Sequence, residues 1–334
     1  MNNLLFAWIL FLLSALGTIL AGTGLSINAD RIAARTGLGR LFIGCILLSV
    51  ATSLPELVTI SSAALARAPD LAVGNLFGSY TINYLLLALL DLFQGRGPLL
   101  YYLDPGNILL ILFGILLAAV SIFFMQVDTI SSQGFSILWL GGEGMLLFLI
   151  YLSGSFLLYR YQRRRPFASR EDLPEDDSYP LRRALFSFLI LSLVILVTGI
   201  TLALSGEILA ARTGLGQSLV GTIFIAFSTS LPELITTLTA IRLGAYNLAV
   251  GNILGSNLLN IALIGVADAF YLPGPILRQV SEVHTGTALL GIILSIIAAI
   301  SLFYRSQRTV FKYLGWGMAI LVLTYLLGVY LLFF

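Results

Sequence analysis

Charge is what this sequence has least of. Asp, Glu, Lys and Arg make up 10% of its 334 residues, against about 25% in a soluble domain, and that shortage excludes a water-soluble fold. Cysteine is nearly absent too. Cys45 stands alone in an apolar run, so no intramolecular disulfide can form and thiol redox chemistry is not expected. His284 is the single histidine, and no Ser-His or His-Glu cluster lies in an apolar run, which argues against an intramembrane hydrolase. A net charge of +2 gives no sign of a nucleic-acid partner. What is there is apolar: 58% of the residues are hydrophobic. They come in long runs without the period-2 alternation of barrel strands, so the fold class is an all-α integral membrane protein.

Reading the apolar runs between charged, Pro and Gly punctuation predicts ten spans. They cover about 3–24, 41–66, 71–93, 107–126, 134–158, 184–206, 217–241, 247–270, 287–304 and 310–333. The first run lacks a basic leader and a small-residue cleavage site, so it is expected to be a retained span. With the N-terminus outside, only Arg67, Arg212 and Arg278 of the 18 basic residues face outward. That positive-inside bias expects an inner or plasma membrane protein with both termini outside the cytoplasm. The polar segment 159–183, with its RRRP and EDLPEDD stretches, is expected to be a short cytoplasmic linker.

The sequence also repeats itself. Residues 34–83 align without a gap onto 211–260 at an offset of 177, with 25 of 50 positions identical. ARTGLG, TSLPEL and LAVGN recur, and Gly78, Ser79 and Asn83 return as Gly255, Ser256 and Asn260. Because Pro, Glu, Asn, Ser and Gly are matched, shared hydrophobicity does not explain the likeness. Five predicted spans separate equivalent points, so the second copy would enter the membrane upside down. The expected organisation is a first five-helix repeat at 1–158, the linker, and an inverted second repeat at 184–334. Such pairs are the architecture of secondary transporters, with the substrate site near the midplane where the halves meet.

Glu56 and Glu233 fall deep in spans two and seven, where a charge costs roughly 2.5–3.5 kcal/mol on insertion scales. Each follows a proline, Pro55 or Pro232, which removes a helical hydrogen bond and frees the carbonyl four residues back, at Ala51 or Ser228. The carbonyls of Thr52 and Thr229 lie one residue further on. Ser53, Ser230, Ser79 and Ser256 can add hydroxyl oxygens. Asn83 and Asn260 lie one turn beyond the Gly-Ser pairs on the same helix face. Gly74 with Gly78 and Gly251 with Gly255 allow close helix approach. Carboxylates beside oxygen donors make the hard site preferred by calcium and sodium ions.

These paired GN…GS…N and TSLPE motifs resemble the two alpha-repeats of the cation/calcium exchanger superfamily, its prokaryotic sodium/calcium exchangers in particular. The resemblance implies ten helices and calcium coordination by Glu56, Glu233 and the carbonyls of Thr52 and Thr229. It implies sodium sites that also use Ser53, Ser79, Asn83, Ser230 and Ser256. Sodium-coupled members often carry aspartate at the position of Asn260, so this chain departs from them by offering two carboxylates and not three. The expected activity is exchange of calcium for sodium; a cation/proton antiporter is the alternative and a cation channel a distant one. No catalysis, cofactor or obligate protein partner is expected beyond the transported ions and the bilayer.

Other charged residues draw weaker expectations. Asp30 and Glu207 fall near span ends, as interfacial charge or gates. Asp91 and Asp268 read as solvated helix ends or as ion-entry groups. Glu143 falls inside span five, as an interior proton-active group or a shallower residue. His284 is expected in an outer loop in contact with solvent, and Trp139 and Trp316 in interfacial belts.

Overall fold

A computed structural model describes residues 2–95, 97–127, 136–137, 140–164, 179–213, 228–310 and 314–333. The helices, in chain order, are α1 (Asn2–Thr36), α2 (Arg40–Thr52), α3 (Leu54–Leu65), α4 (Pro69–Gln94), α5 (Gly106–Val127) and α6 (Gly142–Arg164). There follow α7 (Leu181–Arg212), α8 (Leu231–Arg242), α9 (Tyr246–Phe270), α10 (Val283–Tyr304) and α11 (Trp316–Phe333). Two short antiparallel hairpins precede α6 and α11: β1 (Ser136–Ile137) with β2 (Leu140–Gly141), and β3 (Thr309–Val310) with β4 (Leu314–Gly315). Among the described residues seven helices are long and apolar enough to cross a membrane, and α2 with α3, bent by 49°, brings the number to eight if the pair is one broken span and not a re-entrant loop. The chain is a multi-pass helical membrane protein.

Several helices overrun the apolar stretches that announce them. The first span is expected to end near residue 24, yet α1 continues through Asp30, Arg31 and Arg35 until Gly37, whose φ of +67° closes the helix. Charge lowers hydropathy without breaking backbone hydrogen bonds. At 35 residues and about 1.5 Å each, α1 outruns a hydrocarbon core of about 30 Å, so it tilts or projects. By the same logic α7 reaches Arg212 and α6 reaches Arg164, which makes residues 159–164 of the expected linker helical. Spans five and ten instead start later than expected, because the apolar hairpins before α6 and α11 read as helix by hydropathy alone. Residues 217–227 of the seventh expected span, 165–178 of the linker, and Trp139 lie outside the described residues.

Helices α4 and α9 form the centre. Burial in α9 is unbroken from Leu248 to Ile264. Helices α1 and α7 pack along each other on the periphery, where the Thr18 and Thr198 hydroxyls meet at 3.0 Å. Their outer faces expose Leu12, Leu13, Leu189 and Leu193, a surface suited to lipid. Backbone meets backbone where α2 crosses α9: a Cβ on Gly255 would strike the main chain of Cys45, and one on Gly251 the Leu41 carbonyl. Ile43–Leu48, inside α2, takes the wider π-helical turn at this crossing.

Candidate ion site

The site begins at two matched breaks. Ser53, with φ −90° and ψ 7°, separates α2 from α3, and Ser230, with φ −88° and ψ 6°, precedes α8. Pro55 and Pro232 sit in the first turn that follows, where an absent N–H costs little. Each proline therefore opens a new helix, which is more than the kink its place in an apolar run suggests. Glu56 and Glu233 also fall in those first turns, at the helix end whose exposed N–H groups favour negative charge.

The crossing of the halves brings these breaks together. Glu56 and Glu233, each less than 5% exposed, lie close enough for one charge to act on the other. Thr52 of α2 neighbours Glu233, and its hydroxyl lies 3.4 Å from Oδ1 of Asn252 and 3.2 Å from the Ser49 carbonyl. One hydroxyl hydrogen thus faces two acceptors. Ser53 approaches Ser256 at 3.4 Å between hydroxyls. Asn83 of α4 donates to Oδ1 of Asn257 of α9 at 2.9 Å. Ser79, Ser230 and Asn260 are buried on the same elements, and Thr229 is half-buried.

Several oxygens here are left over, beside one unpartnered donor, Nδ2 of Asn257. Oε2 of Glu56, Oε2 of Glu233 and the side-chain carbonyls of Asn83 and Asn260 are buried without a hydrogen-bond partner. Each such group costs about 1–3 kcal/mol, more when charged. Two carboxylate and two amide oxygens, contributed by both repeats and lacking donors, are the donor set of a hard cation.

Three residues that sequence reasoning did not single out belong to this cluster. Asn252 donates to the Thr236 hydroxyl at 3.0 Å while facing Thr52. Both had a signal, because Asn75 and Thr59 occupy their places in the first repeat. Asn257 had none, since its counterpart is Tyr80.

The weaker candidates resolve differently. Asp91 and Asp268 are not solvated helix ends: both are fully buried. Asp91 accepts the backbone N–H groups of Leu99 and, at 2.6 Å, Gly315. Asp268 accepts those of Ile276 and Gly141, each at 2.7 Å. Glu143 opens α6 and pairs with Arg278 at 3.3 Å. Asp30 forms a buried ion pair with Arg40 at 2.6 Å, whereas Glu207 is exposed. His284 is not a loop residue; it lies in the first turn of α10, packs on Gly74 and meets Asp70 at 3.0 Å. Trp316 opens α11 and is 53% exposed.

Known proteins share this architecture. The family model of the sodium/calcium exchanger protein matches residues 6–160 and 184–334. Inner membrane protein YrbG of Escherichia coli is 31% identical over 255 residues, 72% of either chain. The sodium/calcium exchanger MaX1 of Methanosarcina acetivorans is 32% identical over 149 residues, 44% of this chain and 40% of its own. Among solved structures, the sodium-calcium exchanger NCX_Mj superimposes with a TM-score of 0.72, covering 98% of this chain and 99% of that one. At 21% identity that likeness speaks for the fold alone. With most of its length matched, the chain belongs to the sodium/calcium exchanger protein family, a family of membrane cation exchangers and not of enzymes.

Proposed function

We propose that this protein exchanges calcium for sodium across a cell inner or plasma membrane by alternating access. The observation that carries the reading is the set of orphaned oxygens on Glu56, Glu233, Asn83 and Asn260 where the two repeats meet. The architecture would be ten spans in two inverted five-helix repeats, with both termini outside the cytoplasm. The eight apolar crossings, the shorter α8 and the short apolar α11 are consistent with that count. The ligands would be Glu56, Glu233 and the Thr52 and Thr229 carbonyls, with Ser53, Ser79, Ser230, Ser256, Asn83 and Asn260 completing the sodium positions.

Charge supplies the coupling. Two carboxylates about 6 Å apart repel by roughly 3 kcal/mol at an effective dielectric of 20, so an empty site resists the passage between inward- and outward-facing states. One calcium or two sodium ions cancel two charges and release that restraint. Two protons would do the same. Because both repeats carry asparagine, at Asn83 and Asn260, there is no third carboxylate to hold an extra cation. This favours an electroneutral cycle and keeps proton coupling as the second reading.

Purified protein in proteoliposomes tests both. Calcium uptake driven by an outward sodium gradient at uniform pH, with no effect of an imposed membrane potential, is the expected result. Uptake driven only by a pH gradient selects proton coupling. Calcium flux without any counter-ion requirement would overturn exchange in favour of a channel.

A further inference from the structure

Resting on the inverted exchanger proposed above, we infer that Asp70 and His284 form a proton-binding site on the outer face that slows exchange in acid. The observation is a pair of matching junctions between the halves. In the first turn of α4, Oδ1 of Asp70 accepts the Ser281 N–H at 2.7 Å and meets Nε2 of His284 at 3.0 Å. In the first turn of α9, Oδ1 of Asn247 accepts the Asp104 N–H at 2.8 Å and Nδ2 of Asn107 at 3.2 Å. The offset of 177 carries Asp70 onto Asn247, Asp104 onto Ser281 and Asn107 onto His284. The two junctions therefore match bond for bond, and each ties the first turn of a central helix to the opposite half. They differ in chemistry. An imidazole and a carboxylate stand where the other junction has two amides, and the Asp104 carboxylate there turns to the Gly106 N–H and the Tyr161 hydroxyl.

Protonation strengthens one junction alone. A histidine side chain changes charge between about pH 5 and 8, and a hydrogen bond between a charged ring and a carboxylate is roughly twice as strong as a neutral one. The His284 side chain is 14% exposed and packs on Gly74, while that of Asp70 is 57% exposed, so protons reach the pair from solvent. The other charged groups of the neighbouring segments are Arg67 and Glu282, both exposed, and Arg278, which pairs with Glu143. Helices α5 and α11 bring Gln126, Met125 and Leu332 to this end of α10, none of them charged. Asp128, two residues past Gln126, lies outside the described residues. Alternating access moves one half against the other, so a contact between halves at one face is remade in each cycle. A tighter Asp70–His284 bond holds the conformation in which the two meet and delays that step. For a pair this exposed the effect is about two- to fivefold. On the orientation proposed above this face is the extracellular one, and the amide junction at the cytoplasmic face holds no imidazole to respond.

The amide junction supplies the test, because it is the same contact in a form that does not titrate. Sodium-driven calcium uptake is measured in right-side-out and in inverted membrane vesicles, with the medium at about pH 8 or about pH 6, inside the range in which imidazole titrates. In right-side-out vesicles acid should slow wild type about two- to fivefold more than the double variant Asp70→Asn with His284→Asn, which copies the amide pair. In inverted vesicles the two proteins should slow alike. A pH effect on the ion site itself, proton coupling included, is common to both proteins and cancels in the comparison. Equal slowing of both proteins in both preparations overturns the proposal, as does a difference confined to inverted vesicles. So does a response that Asp128→Asn loses and the double variant keeps. If the double variant fails to reach the membrane, His284→Gln is read by the same criteria. Wild-type protein that exchanges no calcium sinks the function proposed above, and the thermal unfolding midpoint in detergent then decides on the proton site. Acid should raise the wild-type midpoint relative to that of the double variant; midpoints that move in parallel overturn it.

Discussion

At the scale of single residues, the molecule is organised around two acids that lack enough hydrogen to satisfy them. Glu56 and Glu233 have one oxygen each without a donor. Glu56→Gln or Glu233→Gln halves the charge that a cation must cancel. Exchange should fall at least a hundredfold in either variant, and calcium should no longer raise the thermal unfolding midpoint. For wild type a ligand at about a hundred times its Kd adds roughly 2.7 kcal/mol. Without ions the Gln variants should be at least as stable as wild type, since a mutual repulsion is gone. Full exchange in either variant contradicts the assignment. Both glutamates were legible in the sequence because a polar hexapeptide repeated inside apolar runs has no packing explanation. Asn257 was not, because its counterpart in the first repeat is a tyrosine, so the repeat gives no sign of an amide at that place.

At the scale of elements, the close crossing of α2 and α9 delivers Thr52 and Ser53 to Asn252 and Ser256. No side chain fits between the two backbones at Gly255. Gly255→Val should therefore destabilise the protein by about 1–3 kcal/mol or more and abolish exchange, read as a lowered unfolding midpoint in detergent and lost uptake. At Gly274, whose φ is +140° in the loop after α9 and which has no neighbour within 4 Å, a change to Ala should leave transport intact. A Gly255→Val protein with native midpoint and uptake would mean that the crossing can open without consequence. The existence of most helices was plain from hydropathy, but their ends were not. Lipid preference fades at Asp30 and Glu207, while main-chain hydrogen bonding continues to Thr36 and Arg212. Conversely, the segments around Leu140 and Leu314 are apolar enough to pass for helix, and only pairing shows them to be hairpins.

At the scale of the whole molecule, Asp91 and Asp268 hold backbone together. Each carboxylate holds the short 3-10 turn after its own helix and the hairpin that precedes a helix of the opposite half. Asp91→Asn or Asp268→Asn leaves one buried N–H facing another donor, at a cost of about 1–3 kcal/mol. The expected result is a lower unfolding midpoint with half-saturating calcium unchanged within twofold. A large change in ion affinity at native stability would instead give these acids a part in transport. Their symmetry in the sequence was visible, but their backbone partners were not, because these depend on which hairpin returns to cover them.

The reciprocity of those two anchors bears on ancestry. Gly315 is secured by Asp91 and Gly141 by Asp268, so each half fastens a loop that the other half owns. On the inverted-repeat reading, two separate copies of one five-helix chain, inserted in opposite directions, could make both contacts between them. Such a dual-topology homodimer would have needed no fused gene to bury its acids. On that reading, fusion would replace encounter between free chains with a tether. Once tethered, the two copies no longer had to be the same, and a tyrosine and an asparagine could come to occupy what had been one position.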